Sequence, residues 1–415
     1  MKTKVTSWGN TSKKTLEILD DFYSNFSPVV AYGNNNSYGD AALSASNYAI
    51  KYKKNNKTLL TVNQTIEDYI TNTKRSLFGI PGKRNVTLAG AVASDVHGKD
   101  NLWGGSFIKN IDQITLKTSS GKLIKASREK NSEIFYSTVG GYGLTGIITD
   151  IKMVTNKLPL HKEYFSKINI GEGLDNLFSN FEYEDSCYWV AWIDLSNKKY
   201  RWYSEKSKPL NTQKNREVKK KIEKEFSSSL PFIGMNKYNS LGFMNKAFLL
   251  SKGIRKNTVK SYEDVNYPLN KISNTKNFAK NRKIIQIQFS IPLENSDKIQ
   301  KLIDLLCTKN NVILCSVKRL TSNESNHNLS FVQNGWTLAL DFAYETFNYS
   351  NIREFYDLIC KYNGLVYLAK DSTLNQDEFK RMYTNYNDWK AVLKSLDPKN
   401  DFQSELSKRL GLKEW

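Results

Sequence analysis

The sequence predicts an α+β protein of two domains followed by a helical tail, and three observations carry that expectation. Residues 1–158 consist of short apolar runs broken by glycine clusters: Val29 to Ala31, Leu59 to Val62, Asn85 to Val96 and Gly146 to Val154. These alternate with helical patterns such as Thr65 to Arg75. Residues 159–362 are richer in aromatics and longer strand patterns, and Cys187 to Leu195, Lys283 to Ile291, Val312 to Leu320 and Gly335 to Phe342 read as one antiparallel sheet. Asp297 to Thr308 places apolar residues at helical spacing and should cover one face of that sheet. Residues 363–415 return to helix over Gln376 to Tyr383, Tyr386 to Leu396 and Asp401 to Leu410. A chain of 415 residues with 39% hydrophobic content exceeds one small core. The polar, basic stretch from Lys206 to Lys260 reads as a mobile surface insertion.

Lys and Arg number 61 against 41 Asp and Glu, a formal charge of +20 that favours phosphate-bearing partners. The excess is dispersed, and its densest run, Lys219 to Glu225 (KKKIEKE), holds two Glu and reads as a solvated helix face. A phosphorylated lipid or an anionic membrane surface is therefore expected ahead of nucleic acid. Cys187, Cys307, Cys315 and Cys360 show no CxxC spacing, so no zinc site or disulfide framework is indicated. Reduced thiols suggest the cytoplasm. The opening MKTKVTSWGN lacks the apolar stretch of a signal peptide, and no apolar run reaches the roughly 20 residues that span a bilayer. Any membrane contact would be peripheral, at the inner membrane.

Three glycine-rich segments carry the functional signal. In Tyr32 to Asp40 (YGNNNSYGD), two glycines bracket small polar residues directly after an apolar run. Successive backbone N–H groups in a tight loop bind anions, and side-chain bulk would keep a pyrophosphate away. The spacing is neither a Rossmann nor a Walker loop, and on its own an ordinary Asn/Gly turn explains it. Pro81 to Phe107 (PGKRNVTLAGAVASDVHGKDNLWGGSF) keeps Gly90, Ala91, Ala93 and Ser94 small ahead of His97, Gly98 and Lys99, and Thr138 to Ile147 (TVGGYGLTGI) is the third. Three such loops in one domain point to a flat ligand against main chain.

SYGD, GAVASDVHGK followed by GSF, and TVGGYGLTGII together resemble the FAD-binding domain of the vanillyl-alcohol oxidase superfamily. Within it the chain is most similar to the decaprenylphosphoryl-β-D-ribose 2′-oxidases. The likeness extends through TSWGNTS, YWVAWIDL, IQIQF, GWTLALDF and NGLVYLAKDS to LSKRLGL, and weakens only across the basic insertion. It implies a two-domain vanillyl-alcohol-oxidase-like flavoprotein: an FAD domain over 1–158, an antiparallel-sheet substrate domain over 159–362, and a tail, 363–415, that returns to the FAD domain.

The resemblance also implies site residues. The pyrophosphate of FAD would sit on Gly33, Asn34, Asn35, Asn36, Ser37, Tyr38 and Gly39, and on Gly90, Ala93 and Ser94. Gly143 and the strand from Ile147 would meet the adenosine half. The isoalloxazine would lie near His97, Gly98 and Tyr38, noncovalently, with His97 packed against it; a histidine satisfied by backbone is the alternative. Oxidising a sugar hydroxyl needs hydride transfer to flavin N5 and a cation near N1 of the reduced ring, a role matching Lys370. Without the family match Lys370 is a surface lysine after a strand. Lys318 matches a second active-site lysine, for a substrate phosphate or hydroxyl. Gln288 matches a pocket residue, although an outward polar residue of a half-solvated sheet accounts for it equally. Tyr38 would join Lys370 and Lys318 as a catalytic residue, and with Trp192 it would line the sugar pocket.

The chain departs from the family at Thr337 and Ala339, where an Asn and a Cys are expected, two residues apart on one strand face. Loss of that thiol should abolish trapping by thiol-directed inhibitors. Asn36 replaces a loop arginine and removes one positive charge near the pyrophosphate. The implied activity is FAD-dependent oxidation of a sugar hydroxyl to a ketone on a polyprenyl-phosphate-linked pentose, completed as an epimerisation by a nicotinamide-dependent short-chain reductase. An aldonolactone or alditol oxidase acting on free sugars is the second reading, and a glycolipid-binding flavin-fold protein without redox chemistry is the third.

Overall fold

The computed structural model describes residues 2–51, 62–155, 158–196, 198–210, 257–268, 283–322 and 329–415. Its helices and largely antiparallel sheets make an α+β fold. The N-terminal strands β1 (Lys2–Thr6), β2 (Lys13–Leu19) and β3 (Tyr48–Ile50) form a small mixed sheet. A second sheet orders β4 (Ile111–Lys117), β5 (Leu123–Ser127) and β6 (Ile147–Met153) as β5-β4-β6. The third has eight antiparallel strands: β7 (Glu163–Gly171), β8 (Tyr188–Asp194), β9 (Arg201–Pro209), β10 (Asn257–Ser261), β11 (Ile284–Pro292), β12 (Val312–Leu320), β13 (Gly335–Ala343) and β14 (Leu365–Val366). Their order is β10-β7-β9-β8-β12-β13-β11-β14.

Period-two patterning gives this large sheet two different faces. Ile285, Ile287, Phe289 and Ile291 of β11, Trp336, Leu338, Leu340 and Phe342 of β13, and Trp189, Ala191 and Ile193 of β8 enter one hydrophobic core. Helices Ile299–Cys307 and Ile352–Lys361 cover that face. Ile299, Leu302, Ile303 and Leu306 form the buried stripe of the first, and Ile352, Phe355, Tyr356 and Ile359 that of the second. The intervening residues of β11 and β13 point the other way and include Gln286, Gln288, Ser290, Thr337 and Asp341, yet they too are buried. A buried polar face requires partners, and it is there that the candidate site lies.

The tail is stitched to the first 150 residues. The backbone N–H of Val29 donates to Asp401 O at 2.7 Å, that of Ala45 to Gln403 O at 3.0 Å, and Trp389 Nε1 donates to Ser137 O at 3.0 Å. Its helices Gln376–Met382 and Glu405–Arg409 start at capping boxes, Asn375 with Glu378 and Ser404 with Ser407, as does Ile66–Thr73 at Thr65 with Asp68.

Two expectations need correction. Within the apolar run Asn85 to Val96, Leu88–Ala93 is a helix capped by Thr87, whose hydroxyl accepts from the Gly90 N–H at 3.1 Å. Alanines and a good cap outweigh the strand-like reading. Val29 to Ala31 make only isolated bridges, to Phe402 and Ile50. The basic stretch contributes its ends to β9 and β10, and residues 211–256 lie outside the described residues, as do 59–61 of the run Leu59 to Val62. All four cysteines are free, and among the described residues no helix is long and apolar enough to cross a membrane.

Candidate active site

Register places the polar residues of the large sheet in rows. Gln288 of β11 lies opposite Ala339 of β13, which faces Ser316 of β12, then Trp192 of β8 and Tyr203 of β9. In the adjoining row Ser290 pairs with Thr337 and Thr337 with Lys318, and on the opposite side Gln286 pairs with Asp341. The four expected residues Gln288, Lys318, Thr337 and Ala339 therefore share one face, and Trp192 joins it, stacked on Tyr203 with ring centroids 4.6 Å apart.

Two segments from elsewhere in the chain meet this face. His97, just after the helix capped by Thr87, has Nε2 at 3.0 Å from Gln288 Nε2 and its ring 5.4 Å from Tyr367 and 5.6 Å from Phe331. The Tyr367 hydroxyl donates to Ser94 O at 2.8 Å, tying the turn before Lys370 to the glycine-rich segment. From the loop Gly33 to Asp40, the Tyr38 N–H donates to Ala369 O at 3.2 Å, and Lys370 Nζ stands 5.5 Å from the centre of the Tyr38 ring. Lys370 and Tyr38, 332 positions apart in sequence, are thus brought into contact range.

Arg409 locks this junction. Its Nε and Nη2 donate to the two carboxylate oxygens of Asp40, each at 2.9 Å, and its Nη1 pairs with Asp371 at 2.9 Å. One guanidinium from the last helix therefore holds both the Tyr38 loop and the Lys370 turn.

The electrostatics are lopsided. The ammonium groups of Lys83, Lys318 and Lys370 make no ion pair or hydrogen bond with a described residue. Burial pushes Lys318 down to about 8, partly opposed by Asp100. Burial and Lys370 push Lys83 down to about 7. Lys370 is lowered by burial and by Lys318, against the attraction of Asp341. Asp341 is raised by burial, although Gln286 donates to it and both Lys370 and Lys83 attract it. His97 is held neutral by burial and by Lys318 and Lys370. These lysines are half-buried, and excess cation enclosed without an ion-pair partner is costly unless an anion shares the space.

Sequence reasoning missed Gln286, Asp341, Lys83 and Trp8. The first two were accessible by parity, since Gln286 is two residues from Gln288 and Asp341 two from Ala339. Lys83 had no signal, and its Nζ sits 3.6 Å from the Trp8 ring centre, with Trp8 4.2 Å from Tyr38.

Most of the expected cofactor glycines pack against the protein itself. A Cβ on Gly33 would strike the Thr87 hydroxyl, on Gly39 the carbonyl oxygen of Asp371, and on Gly98 the carboxylate of Asp100. The protein's own packing is enough to require these glycines. Gly90 is likewise under Thr87, and of the expected cofactor glycines only Gly143, at φ +75°, has room, with Val30 Cγ2 at 3.5 Å. Asn34 and Asn36 both donate to Asn85 O, at 2.9 and 3.1 Å, and Ser37 O accepts from Trp8, so these expected cofactor residues brace the loop. Ala93 O accepts from Tyr142, and the Ile147 side chain packs with Phe22, Val29, Ile50 and Phe402. A better fit to a polar, hydroxyl-bearing cofactor comes from buried atoms left without partners: Asn35 Oδ1, His97 Nδ1, Thr145 Oγ1 and Gln288 Oε1.

Comparison with known proteins agrees. The chain is 26% identical over 348 residues to decaprenylphosphoryl-beta-D-ribose oxidase of Mycolicibacterium smegmatis, covering 80% of this chain and 75% of that protein. Shorter matches join it to cytokinin dehydrogenase 2 of Arabidopsis thaliana, 28% over 81 residues, 20% of this chain and 16% of the other. Cytokinin dehydrogenase 1 of the same plant matches at 28% over 120 residues, 27% and 20% of the respective chains. The family model for D-arabinono-1,4-lactone oxidase matches residues 165–410. The chain therefore belongs to the D-arabinono-1,4-lactone oxidase family and is an FAD-dependent oxidoreductase that acts on the CH–OH groups of sugars.

Proposed function

We propose that the chain oxidises a secondary hydroxyl of a polyprenyl-phosphate-linked pentose such as decaprenylphosphoryl-ribose to a ketone. A separate nicotinamide-dependent reductase would complete the epimerisation. The observation that carries this reading is the set of enclosed lysines without ion-pair partners, Lys318 on the polar sheet face and Lys83 and Lys370 from the loops that meet it, which suits a phosphate-bearing substrate. Similarity to a decaprenylphosphoryl-beta-D-ribose oxidase over four fifths of the chain supports it. The formal charge of +20 is in keeping with peripheral contact at an anionic inner-membrane surface.

Residues 1–158 with the returning tail 363–415 would form the FAD domain, and 159–362 the substrate domain. The hydrogen bonds from Val29, Ala45 and Trp389 into or out of the tail favour that division. The main chain of Gly33 to Gly39, Gly90 to Ser94 and Gly143 to Ile147 would hold FAD noncovalently, with His97, Gly98 and Tyr38 toward the ring. FAD supplies the hydride acceptor, and negative charge collects on its ring when reduced. Lys370 would place its ammonium against that charge, lowering the barrier as a fixed donor does at any developing anion. Lys318 would receive the substrate phosphate or a neighbouring hydroxyl. Trp192 and Tyr203 would offer an aromatic wall to the sugar, and Ala339 leaves room where a larger residue would intrude.

The family to which the chain belongs favours one second reading, an aldonolactone or alditol oxidase on free sugars. Anaerobic bleaching of the flavin separates the two. Reduction by a polyprenyl-phosphate pentose and not by free aldonolactones or alditols supports the first reading, and the reverse overturns it. Lys370→Ala should retain FAD and lose most turnover, and reduction at the parent rate would remove Lys370 from the mechanism.

A further inference from the structure

His97, Gln288 and Thr337 are 5%, 2% and 2% exposed, and their hydrogen bonds form a single line. Thr337 Oγ1 lies 2.9 Å from the Phe289 carbonyl oxygen and 2.9 Å from Gln288 Nε2, which is 3.0 Å from His97 Nε2. A carbonyl only accepts, so the Thr337 hydroxyl commits its one hydrogen to Phe289 and must accept from Gln288. The group that Gln288 turns toward Thr337 is then its NH2. The second amide hydrogen meets His97 Nε2, which must be unprotonated, and the ring hydrogen resides on Nδ1. Turning the amide over would strip the Phe289 carbonyl of the Thr337 hydroxyl and bury two amide hydrogens without acceptors, which costs more than the arrangement seen.

We propose that Thr337 and Gln288 are positioning residues that hold His97 as the neutral ring protonated at Nδ1, leaving Nδ1–H as a donor and Gln288 Oε1 as an acceptor for a hydroxyl-bearing ligand. Both of those atoms are buried and without a partner. The inference rests on the reading that this face is the sugar-oxidising site. It revises the roles expected of Gln288 and Thr337, which act through His97 as well as lining the pocket. It also predicts noncovalent flavin: with Nε2 engaged by Gln288 and Nδ1 protonated, neither ring nitrogen has a free lone pair for attachment. The charged and titratable groups around the ring, Lys318 from β12, Lys370 and Tyr367 from the turn after β14, add no carboxylate that would favour a second proton.

The test uses the FAD-loaded full chain with nitrogen-15 in its three histidine rings, His97, His161 and His327, resolved by His161→Asn and His327→Asn. The His97 ring is expected to show a protonated Nδ1 and a bare Nε2, unchanged from about pH 5 to 8. Thr337→Val removes one acceptor of the amide and should yield a mixture of both tautomers, and Thr337→Ser should restore the parent pattern. A parent ring protonated at Nε2, a ring titrating near its ordinary value, or a Val variant identical to the parent would each overturn the proposal. Acid precipitation should release all FAD, and flavin retained on the His97 peptide would overturn it too. Bleaching by sugar, read on the same samples, is independent: bleaching with the wrong tautomer sinks only this inference, and the right tautomer without bleaching sinks the proposed function.

Discussion

Arg409→Met should destabilise the protein by about 3 to 5 kcal/mol, the range for removing one partner of a buried charged pair. The guanidinium makes two hydrogen bonds of 2.9 Å to Asp40 and an ion pair of 2.9 Å to Asp371, whose side chain is 1% exposed. Asp371 keeps two partners in the variant, because its other oxygen accepts from the Thr373 and Leu374 N–H groups at 2.9 and 3.0 Å. Asp40 keeps less, and burial already raises its carboxyl, so protonation relieves part of the loss there. The expected cost therefore sits nearer the lower end of the range. Arg409→Lys keeps a charge without the two-pronged geometry and should fall between parent and Met. Because Arg409 joins the Tyr38 loop to the Lys370 turn, flavin reduction should slow in variant protein that remains folded. The assay is urea unfolding of parent, Arg409→Met, Asp40→Asn and the double variant, with single-turnover reduction measured on each. A loss below about 1 kcal/mol, the scale of an exposed ion pair, or strict additivity of the two changes, would refute the claim that this clamp builds the site.

Three further outcomes follow from the same geometry. Gly39→Ala directs a methyl group onto the carbonyl oxygen of Asp371, so it should separate the Tyr38 loop from the Lys370 turn and cost about 1 to 3 kcal/mol, read by thermal unfolding and FAD retention. Asp341→Asn removes the carboxylate that favours the charged forms of Lys370 and Lys83. If protonated Lys370 is required, activity is present below its pKa and lost as pH rises through it, so the variant's loss should move to lower pH; an unmoved pH profile of flavin reduction would rule the coupling out. Ala339→Cys puts a thiol beside Gln288 on the site face, and a thiol-directed substrate-like inhibitor should inactivate this variant and spare the parent.

What was legible in the sequence was whatever repeats locally. The alternation in GWTLALDF placed Thr337 and Ala339 on one strand face, that in IQIQF set Gln288 apart from its apolar neighbours, and the spacing of Ile299, Leu302, Ile303 and Leu306 placed a helix over a sheet face. The same alternation could have added Gln286 and Asp341, had a polar residue in a strand been read as buried and not as solvent-facing. Contacts between distant segments carry no such period. Gln288 reaches His97 across 191 positions and Arg409 reaches Asp40 across 369, and only the fold makes those pairs. The glycines show how a correct cofactor can be inferred from an incomplete cause. Gly33, Gly39 and Gly98 are bare because Thr87, Asp371 and Asp100 press against them, so the loops are glycine-rich in order to assemble the site's walls. A flavin fold therefore leaves its glycine signature partly through the protein's own packing, and that packing is what brings Lys370 within reach of Tyr38. Substitution at Gly39 tests this directly: if bareness served the ligand alone, Gly39→Ala would lower FAD affinity and leave the unfolding of the cofactor-free protein untouched, whereas packing at Asp371 requires both to suffer.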